Sequence, residues 1–155
     1  MPAAKGSVVE SQIRRYFEEK CVRYESTRGQ LILPRNFNRV FQYEAIGHYD
    51  VPMIQQIWAS FDAFALIRSG RVHAFADFSR VKGYDSEARR LGALGFRDRL
   101  SRWDTFHVLL PREGLITKLL SMAFSTITLV SSVPMKCYTD RARFAATLER
   151  YDSPR

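Results

Sequence analysis

The sequence predicts an α/β domain in which helices pack on a mixed sheet with mostly parallel strands. From residue 40 onward, four strand-like segments alternate with four helix-like segments. The connections between them are short, and such regular alternation is typical of parallel strands joined by right-handed crossovers. A chain of 155 residues, of which 46% are hydrophobic, is long enough for one domain with a sizeable core.

An N-terminal extension is predicted for residues 1–37, and the α/β domain itself for residues 38–155. Apolar side chains recur at helical spacing within residues 7–20, so a helix is expected there. Residues 22–33 are expected to be extended, with a break at Arg28-Gly29. This extended segment is predicted to pair at an edge of the sheet.

The α/β domain is predicted to contain four strands and four helices. The strands are RVFQYEAIG, RVHAFADF, TFHVLL and PMKCYT, and the helices are MIQQIWASFDAFALIR, residues 85 to about 102, residues 115–130 and DRARFAATLERY. Asp50, Asp85 and Asp140 each stand at a helix start, where a carboxylate can accept a hydrogen bond from a free backbone N–H. The second strand is expected to end near Phe78. SRVKGY would then cross the sheet edge as a turn, with Gly83 free to take a positive φ.

Ser86 is the most informative residue at this turn. It would be exposed at the carboxyl end of the strands, which is the ligand-facing edge of an open α/β sheet. A phosphate on Ser86 would meet free N–H groups and the positive end of the helix dipole, with Arg89 and Arg90 within reach. The alternative is structural, because Asp-Ser-Glu is also an ordinary helix start.

The segment VHAFADFSRVKGYDSEARRLGAL resembles the core motif of STAS domains, the sulfate-transporter and anti-sigma-factor-antagonist family. In that motif a strand ends in Asp-x-Ser, and a short turn then leads to Asp-Ser at a helix start. Asp77 and Ser79 match the first pair, and Asp85 and Ser86 match the second. The likeness covers about residues 38–150, and its order of elements agrees with the order predicted above.

The resemblance implies a non-enzymatic regulatory domain that binds a protein partner in bacterial signalling. Glu87 and Ala88 stand where the family has its second Ser and its Gly, which is similar to a divergent bacterial branch. By the same resemblance Ser86 would be the phosphoacceptor. The implied partner-binding surface comprises Arg80, Lys82, Gly83, Tyr84, Asp85, Ser86, Glu87, Arg90 and Arg97.

Other functions receive less support from the sequence. The net charge of +8 would suit binding of nucleic acid or an anionic membrane, although the basic residues are scattered without a long run. Asp77, Ser79 and His107 could be imagined as a nucleophile set, but no nucleophile-elbow motif supports it. The three histidines lack metal-ligand spacing, and no nucleotide-binding motif is present. We therefore expect no enzyme activity, metal or cofactor.

The remaining expectations concern location and assembly. No apolar stretch is long enough to span a membrane, and the N-terminus does not look like a secretory signal, so a cytoplasmic protein is expected. Cys21 and Cys137 are predicted to be reduced core residues. The helix LITKLLSMAFSTITLV is apolar nearly all round, with one stripe at Leu115, Leu119, Met122 and Thr126 and another at Ile116, Leu120, Ala123, Phe124 and Ile127. Such a helix is usually buried on more than one side, and two interpretations of what covers it stay open. One is cover by the N-terminal helix through Val9, Ile13 and Phe17, and the other is a homodimer or partner groove.

Overall fold

A computed structural model describes residues 23–25, 28–33, 39–67 and 70–152, which form six strands and four α-helices. The strands are β1 (Arg23–Glu25), β2 (Gly29–Ile32), β3 (Phe41–Tyr49), β4 (Val72–Tyr84), β5 (Trp103–Leu109) and β6 (Met135–Tyr138). The helices are α1 (Val51–Ile67), α2 (Ser86–Asp98), α3 (Leu115–Ser131) and α4 (Arg141–Asp152). A short 3₁₀ turn, Leu100–Arg102, joins α2 to β5.

The strands lie in the sheet in the order in which they occur along the chain. β1, β2 and β3 pair antiparallel, and β3 to β6 pair parallel. The edge pairing predicted for residues 22–33 is therefore confirmed, and it takes the form of two short strands. The predicted division into an extension and a domain stays a prediction, but β1 and β2 continue the same sheet.

Aromatic packing holds three helices to one face of the sheet. Trp103 of β5 stacks on Phe61 of α1 with ring centroids 4.2 Å apart, and on Phe96 of α2 at 5.3 Å. Leu120 of α3 joins the same buried cluster. Each large apolar side chain buried in this way stabilises the fold by about 1.5–3 kcal/mol.

Among the described helices, α4 alone covers the other face of the sheet. Its Phe144 packs edge-on to Phe75 of β4, and Tyr138 of β6 contacts Phe144. Asp140 accepts a hydrogen bond from the N–H of Ala142 and so caps α4 as predicted. Asp50 caps α1 in the same way, through the N–H of Met53.

Strand β4 is longer than predicted, and this corrects the expected turn. It continues beyond Phe78 to Tyr84, because β3 also continues and pairs with it, for example at Gly47↔Val81 and His48↔Gly83. SRVKGY is therefore strand, and Gly83 does not have a positive φ. His48, which follows the predicted strand RVFQYEAIG, lies in β3.

Three further predictions concern the cysteines, the helix of residues 7–20 and the absence of a membrane-spanning segment. Cys137 is exposed on the edge strand β6 with a free thiol, so its assignment to the core was wrong. Cys21 and the predicted helix of residues 7–20 lie outside the described residues. Among the helices that the structure describes, none is both long enough and apolar enough to cross a membrane.

Candidate functional site at the amino end of helix α2

The amino end of α2 is fixed to the sheet by contacts from β2 and β3. The N–H of Asp85 donates to the carbonyl of Tyr49 (3.0 Å), directly extending the β3–β4 pairing. Gly47 bulges from β3 with φ of 80°, which places its backbone against the carbonyl of Arg28. The N–H of His48 donates to that same carbonyl (3.0 Å). The antiparallel pair of β2 and β3 and the amino end of α2 are thus held together.

The Asp85 carboxylate bonds to side chains of the neighbouring strands and does not cap α2. Its Oδ1 accepts a hydrogen bond from His48 Nε2 (2.7 Å) and another from Arg28 Nη1 (3.4 Å). The His48 hydrogen bond, followed by the charges of His48 and Arg28, holds the pKa of Asp85 below its ordinary value of 3.8. The predicted capping role of Asp85 was wrong, because its side chain makes no hydrogen bond to the helix.

Ser86 lies where the sequence placed it. It is the first residue of α2 and is exposed. The first helical hydrogen bond runs from the N–H of Arg89 to the carbonyl of Asp85 (3.1 Å). Since no side chain of the described residues caps this end, the N–H groups of the first turn remain open to an anion.

Of the charged side chains beside Ser86, two form an ion pair with each other and one does not. The Glu87 carboxylate accepts hydrogen bonds from both Nε and Nη2 of Arg90. This bidentate ion pair lowers the pKa of Glu87 and raises that of Arg90. Arg89 is exposed, and its guanidinium has no hydrogen-bond or ion-pair partner within the described part of the chain. Arg89, and not Arg90, is therefore the arginine available at i+3 from Ser86.

The predicted partner-binding residues do not all lie on one surface. Arg80 bonds Glu44 through Nε (2.9 Å) and Nη2 (2.6 Å), on the sheet face that carries α4. Lys82 and Arg97 are exposed, whereas Tyr84 is half-buried against the core. Gly83 lies against the ring of His48.

The first motif pair, Asp77 and Ser79, forms a separate cluster beneath α4. Asp77 Oδ1 accepts hydrogen bonds from the backbone N–H (2.9 Å) and the hydroxyl (2.6 Å) of Ser79. Arg141 of α4 reaches both residues, donating to Ser79 Oγ (2.6 Å) and contacting Asp77 Oδ2 (3.1 Å). Asp77 is 8% exposed, so this cluster ties β4 to α4 and is not an open site.

His107 does not join that cluster. It is buried in β5, where its Nδ1 lies 2.9 Å from the hydroxyl of Tyr138 and its Nε2 lies 3.1 Å from Thr105 Oγ1. Burial lowers the pKa of His107 to about 4. Nothing in this arrangement links His107 to Ser79 as a base. Across the described ranges, no three or more His, Cys, Asp or Glu side chains group as metal ligands.

Helix α3 carries an exposed apolar stripe. Leu115, Leu119, Met122 and Leu129 are 73%, 39%, 67% and 87% exposed. Leu115, Leu119 and Met122 belong to one of the two stripes predicted from the sequence. What covers it stays a prediction, because the N-terminal helix proposed as its cover lies outside the described residues.

Sequence reasoning missed His48 and Arg28 as site residues. They precede Asp85 by 37 and 57 positions and reach it only through the β2–β3–β4 pairing. A local pattern carries no signal for such contacts. The Gly at position 47 was the single available hint, because a glycine inside a strand pattern often marks a bulge.

A comparison with solved structures identifies the fold. An uncharacterised protein of the DUF3478 family from Shewanella loihica PV-4, described as having a SpoIIAA-like fold, matches this chain with a TM-score of 0.59 at 14% sequence identity. The match covers 81% of this chain and 98% of that chain. This chain has the SpoIIAA-like fold. That fold is the anti-sigma-factor-antagonist, or STAS, fold, so the likeness noted from the sequence is confirmed for the fold.

No family model and no curated protein matches the sequence. In this chain the strand-to-helix junction of the STAS fold is the site built around Ser86.

Proposed function

We propose that this STAS domain is a non-enzymatic regulator that docks a protein partner through α2 and the end of β4, and that phosphorylation of Ser86 weakens the docking. The docking surface is defined here as Lys82, Ser86, Glu87, Arg89, Arg90 and Arg97. The observation that carries the proposal is the uncapped amino end of α2 with Ser86 exposed on it.

The anchoring of this surface supports a docking role. Asp85 is held by His48 and by the backbone of Tyr49, so Ser86 projects from a fixed junction. On its inner side α2 packs closely on α1, where a Cβ added at Gly95 would fall 2.2 Å from Trp58 Nε1. A helix held this closely can present its outer residues to a partner with little loss of conformational entropy.

The charge of the surface indicates the chemistry of the partner. Glu87 and Arg90 neutralise each other, and Arg97 lies 4.0 Å from Asp98 Oδ1, which leaves Lys82 and Arg89 as the exposed positive charges of the docking surface without an acidic partner in the described chain. Such a surface favours a partner with acidic side chains around its contact area.

The same arrangement accommodates a phosphate at Ser86. The open N–H groups of the first turn and the unpaired guanidinium of Arg89 can both bind phosphate oxygens. The neighbouring Glu87 carboxylate is already neutralised by Arg90, which reduces the repulsion that the sequence alone suggested. A phosphate bound there would occupy Arg89 and add bulk at the centre of the docking surface.

The experiment is affinity capture from native lysate with three baits, the wild type, Ser86→Asp and the control Ser101→Asp. Ser101 is also an exposed serine, but it lies in the 3₁₀ turn beyond the far end of α2. We expect one set of partners with the wild type and with Ser101→Asp, its loss with Ser86→Asp, and phosphate on wild-type Ser86 by mass spectrometry.

Two results would contradict the proposal. Identical partners with all three baits and an unmodified Ser86 would leave Ser86 as a helix start. Binding to DNA, RNA or anionic vesicles that falls steeply with salt and ignores Ser86→Asp would instead support the alternative function, a basic surface for anionic polymers or membranes.

A further inference from the structure

Beneath α2 lies an apolar cavity that shares Arg89 with the docking surface and is otherwise lined by other residues. Its volume is about 70 Å³. It lies between the sheet and the facing sides of α2 and α3 and opens to the surface, and most of its lining is apolar, including Ile54, Phe78, Phe96, Phe106, Leu120 and Phe124.

Two tyrosines of β3 interrupt the apolar lining. Tyr43 and Tyr49 are 6% and 8% exposed, and both line the cavity. Neither hydroxyl has a hydrogen-bond partner among the residues that the structure describes. The hydroxyl of Tyr49 faces α2 at Gly92, where a Cβ would lie 4.0 Å from it. A buried hydroxyl without a partner is costly, so a bound group that accepts its hydrogen bond would be favoured.

The mouth of the cavity has a different character. It continues into a surface groove between α2 and α3, and Arg89, Ala93, Ala123 and Ile127 line both. The small side chains leave the groove open. The unpaired guanidinium of Arg89 supplies positive charge at the mouth.

We propose that this cavity binds a small, mostly apolar organic anion that places a hydroxyl or carbonyl oxygen against Tyr43 and Tyr49 and its carboxylate near Arg89. The hydroxyls act as donors, since burial raises the pKa of both tyrosines and keeps them protonated. The proposal concerns a ligand site and does not require the docking function.

The cavity is too small for an aromatic ring unless one of its walls moves. A cavity of roughly 150 Å³ holds one benzene ring, so a ring would enter this one only if a wall moves. Helix α3 is the wall best able to move. Among its residues whose burial is described, only Leu120 is fully buried, and its stripe from Leu115 to Leu129 faces outward without cover from the described residues.

The test uses a matched pair of probes, 3-(4-hydroxyphenyl)propionate and 3-phenylpropionate, which differ by one hydroxyl. Binding is measured by calorimetry and by amide shifts in ¹⁵N spectra of the full chain. With wild type we expect the hydroxylated probe to bind at least tenfold more tightly and to shift residues of α2 and α3. With Tyr43→Phe/Tyr49→Phe the two probes should bind equally, while Tyr138→Phe, on the opposite sheet face, should keep the discrimination.

The free proteins provide a second readout. If the hydroxyls lack partners, the double Phe variant should melt no lower than wild type, so loss of binding cannot be attributed to unfolding. Absence of shifts with both probes, or equal affinity of both for wild type, would overturn the proposal. A lower melting temperature of the double variant would also overturn it, because it would mean that ordered water alone satisfies the hydroxyls.

Discussion

The STAS-like motif of this chain contains two acid–serine pairs, and the fold uses them in opposite ways. Asp77 and Ser79 are bonded to each other and to Arg141 under α4, with Asp77 almost fully buried. Asp85 is bonded to His48, which leaves Ser86 exposed and without a side-chain partner in the described chain. The same two residue types are structural at one point of β4 and accessible at its end.

The difference teaches that the surroundings of each serine determine what it can do. Ser79 lies inside the sheet, where α4 crosses it and supplies a cation. Ser86 lies just beyond the end of β4, where it is exposed at the groove between α2 and α3. A modification or a partner can reach the second serine without disturbing the core.

The largest expected effect comes from removing the first acid. Asp77→Ala removes the carboxylate that accepts hydrogen bonds from the N–H and hydroxyl of Ser79 and pairs with Arg141, and we expect a loss of about 3 kcal/mol of unfolding free energy. Asp85→Ala, at the exposed pair, should lose clearly less. Urea denaturation of both variants checks this, and equal losses would abolish the contrast between the pairs.

The free energy of unfolding should also depend on pH, through His107 of β5. His107 has a folded pKa of about 4 against 6.5 for the free side chain, so the unfolded chain binds more protons between these values. Its contribution is complete above pH 6.5 and declines as the pH falls towards 4, by about 2 kcal/mol after allowance for partial solvent screening. The difference between wild type and His107→Gln across this range measures it, and a constant difference would contradict the assignment.

A smaller effect separates the two serines directly. Ser79→Ala removes hydrogen bonds to Asp77 and Arg141 and should cost about 1 kcal/mol of stability. Ser86→Ala removes an exposed hydroxyl without a partner and should change stability by less than about 0.5 kcal/mol. Thermal melts of the two variants provide the comparison, and a larger loss from Ser86→Ala would show that Ser86 is a structural helix start.

The smallest expected change is in the pKa of one carboxyl group. Asp85 titrates below 3.8 chiefly because His48 hydrogen-bonds to it. In His48→Gln the Asp85 pKa should therefore rise towards 3.8, and in Arg28→Gln it should rise less. Carboxyl-carbon NMR titration of each variant measures this. An unchanged pKa in His48→Gln would mean that another contact holds the junction.

The alternating strands and helices could be predicted from the sequence, because each has a local periodic pattern. Two of the three Asp caps were also predicted correctly. The prediction ended β4 too early, since Ser79, Arg80 and Lys82 look like a polar turn. The strand continues because Val81 is buried and Arg80 pairs with Glu44 across the sheet. Those contacts depend on the register of β3, which no local pattern contains.

For the candidate site, the exposure of Ser86 at a helix start was predictable, but its support was not. His48 and Arg28 are distant in sequence, and the pairing of Glu87 with Arg90, which leaves Arg89 available, depends on side-chain geometry. The opposite orientation of Arg80 was likewise invisible before β4 was known to continue.

Site-specific photo-cross-linking in native lysate tests the central claim, docking through α2, most directly. A photoreactive amino acid replaces Arg97 on the docking surface or, as the control, the exposed Arg143 on α4. We expect a discrete cross-linked protein from position 97 that is absent from position 143 and lost when Ser86→Asp is added. The same products from both positions, or a product at position 97 that persists with Ser86→Asp, would contradict it.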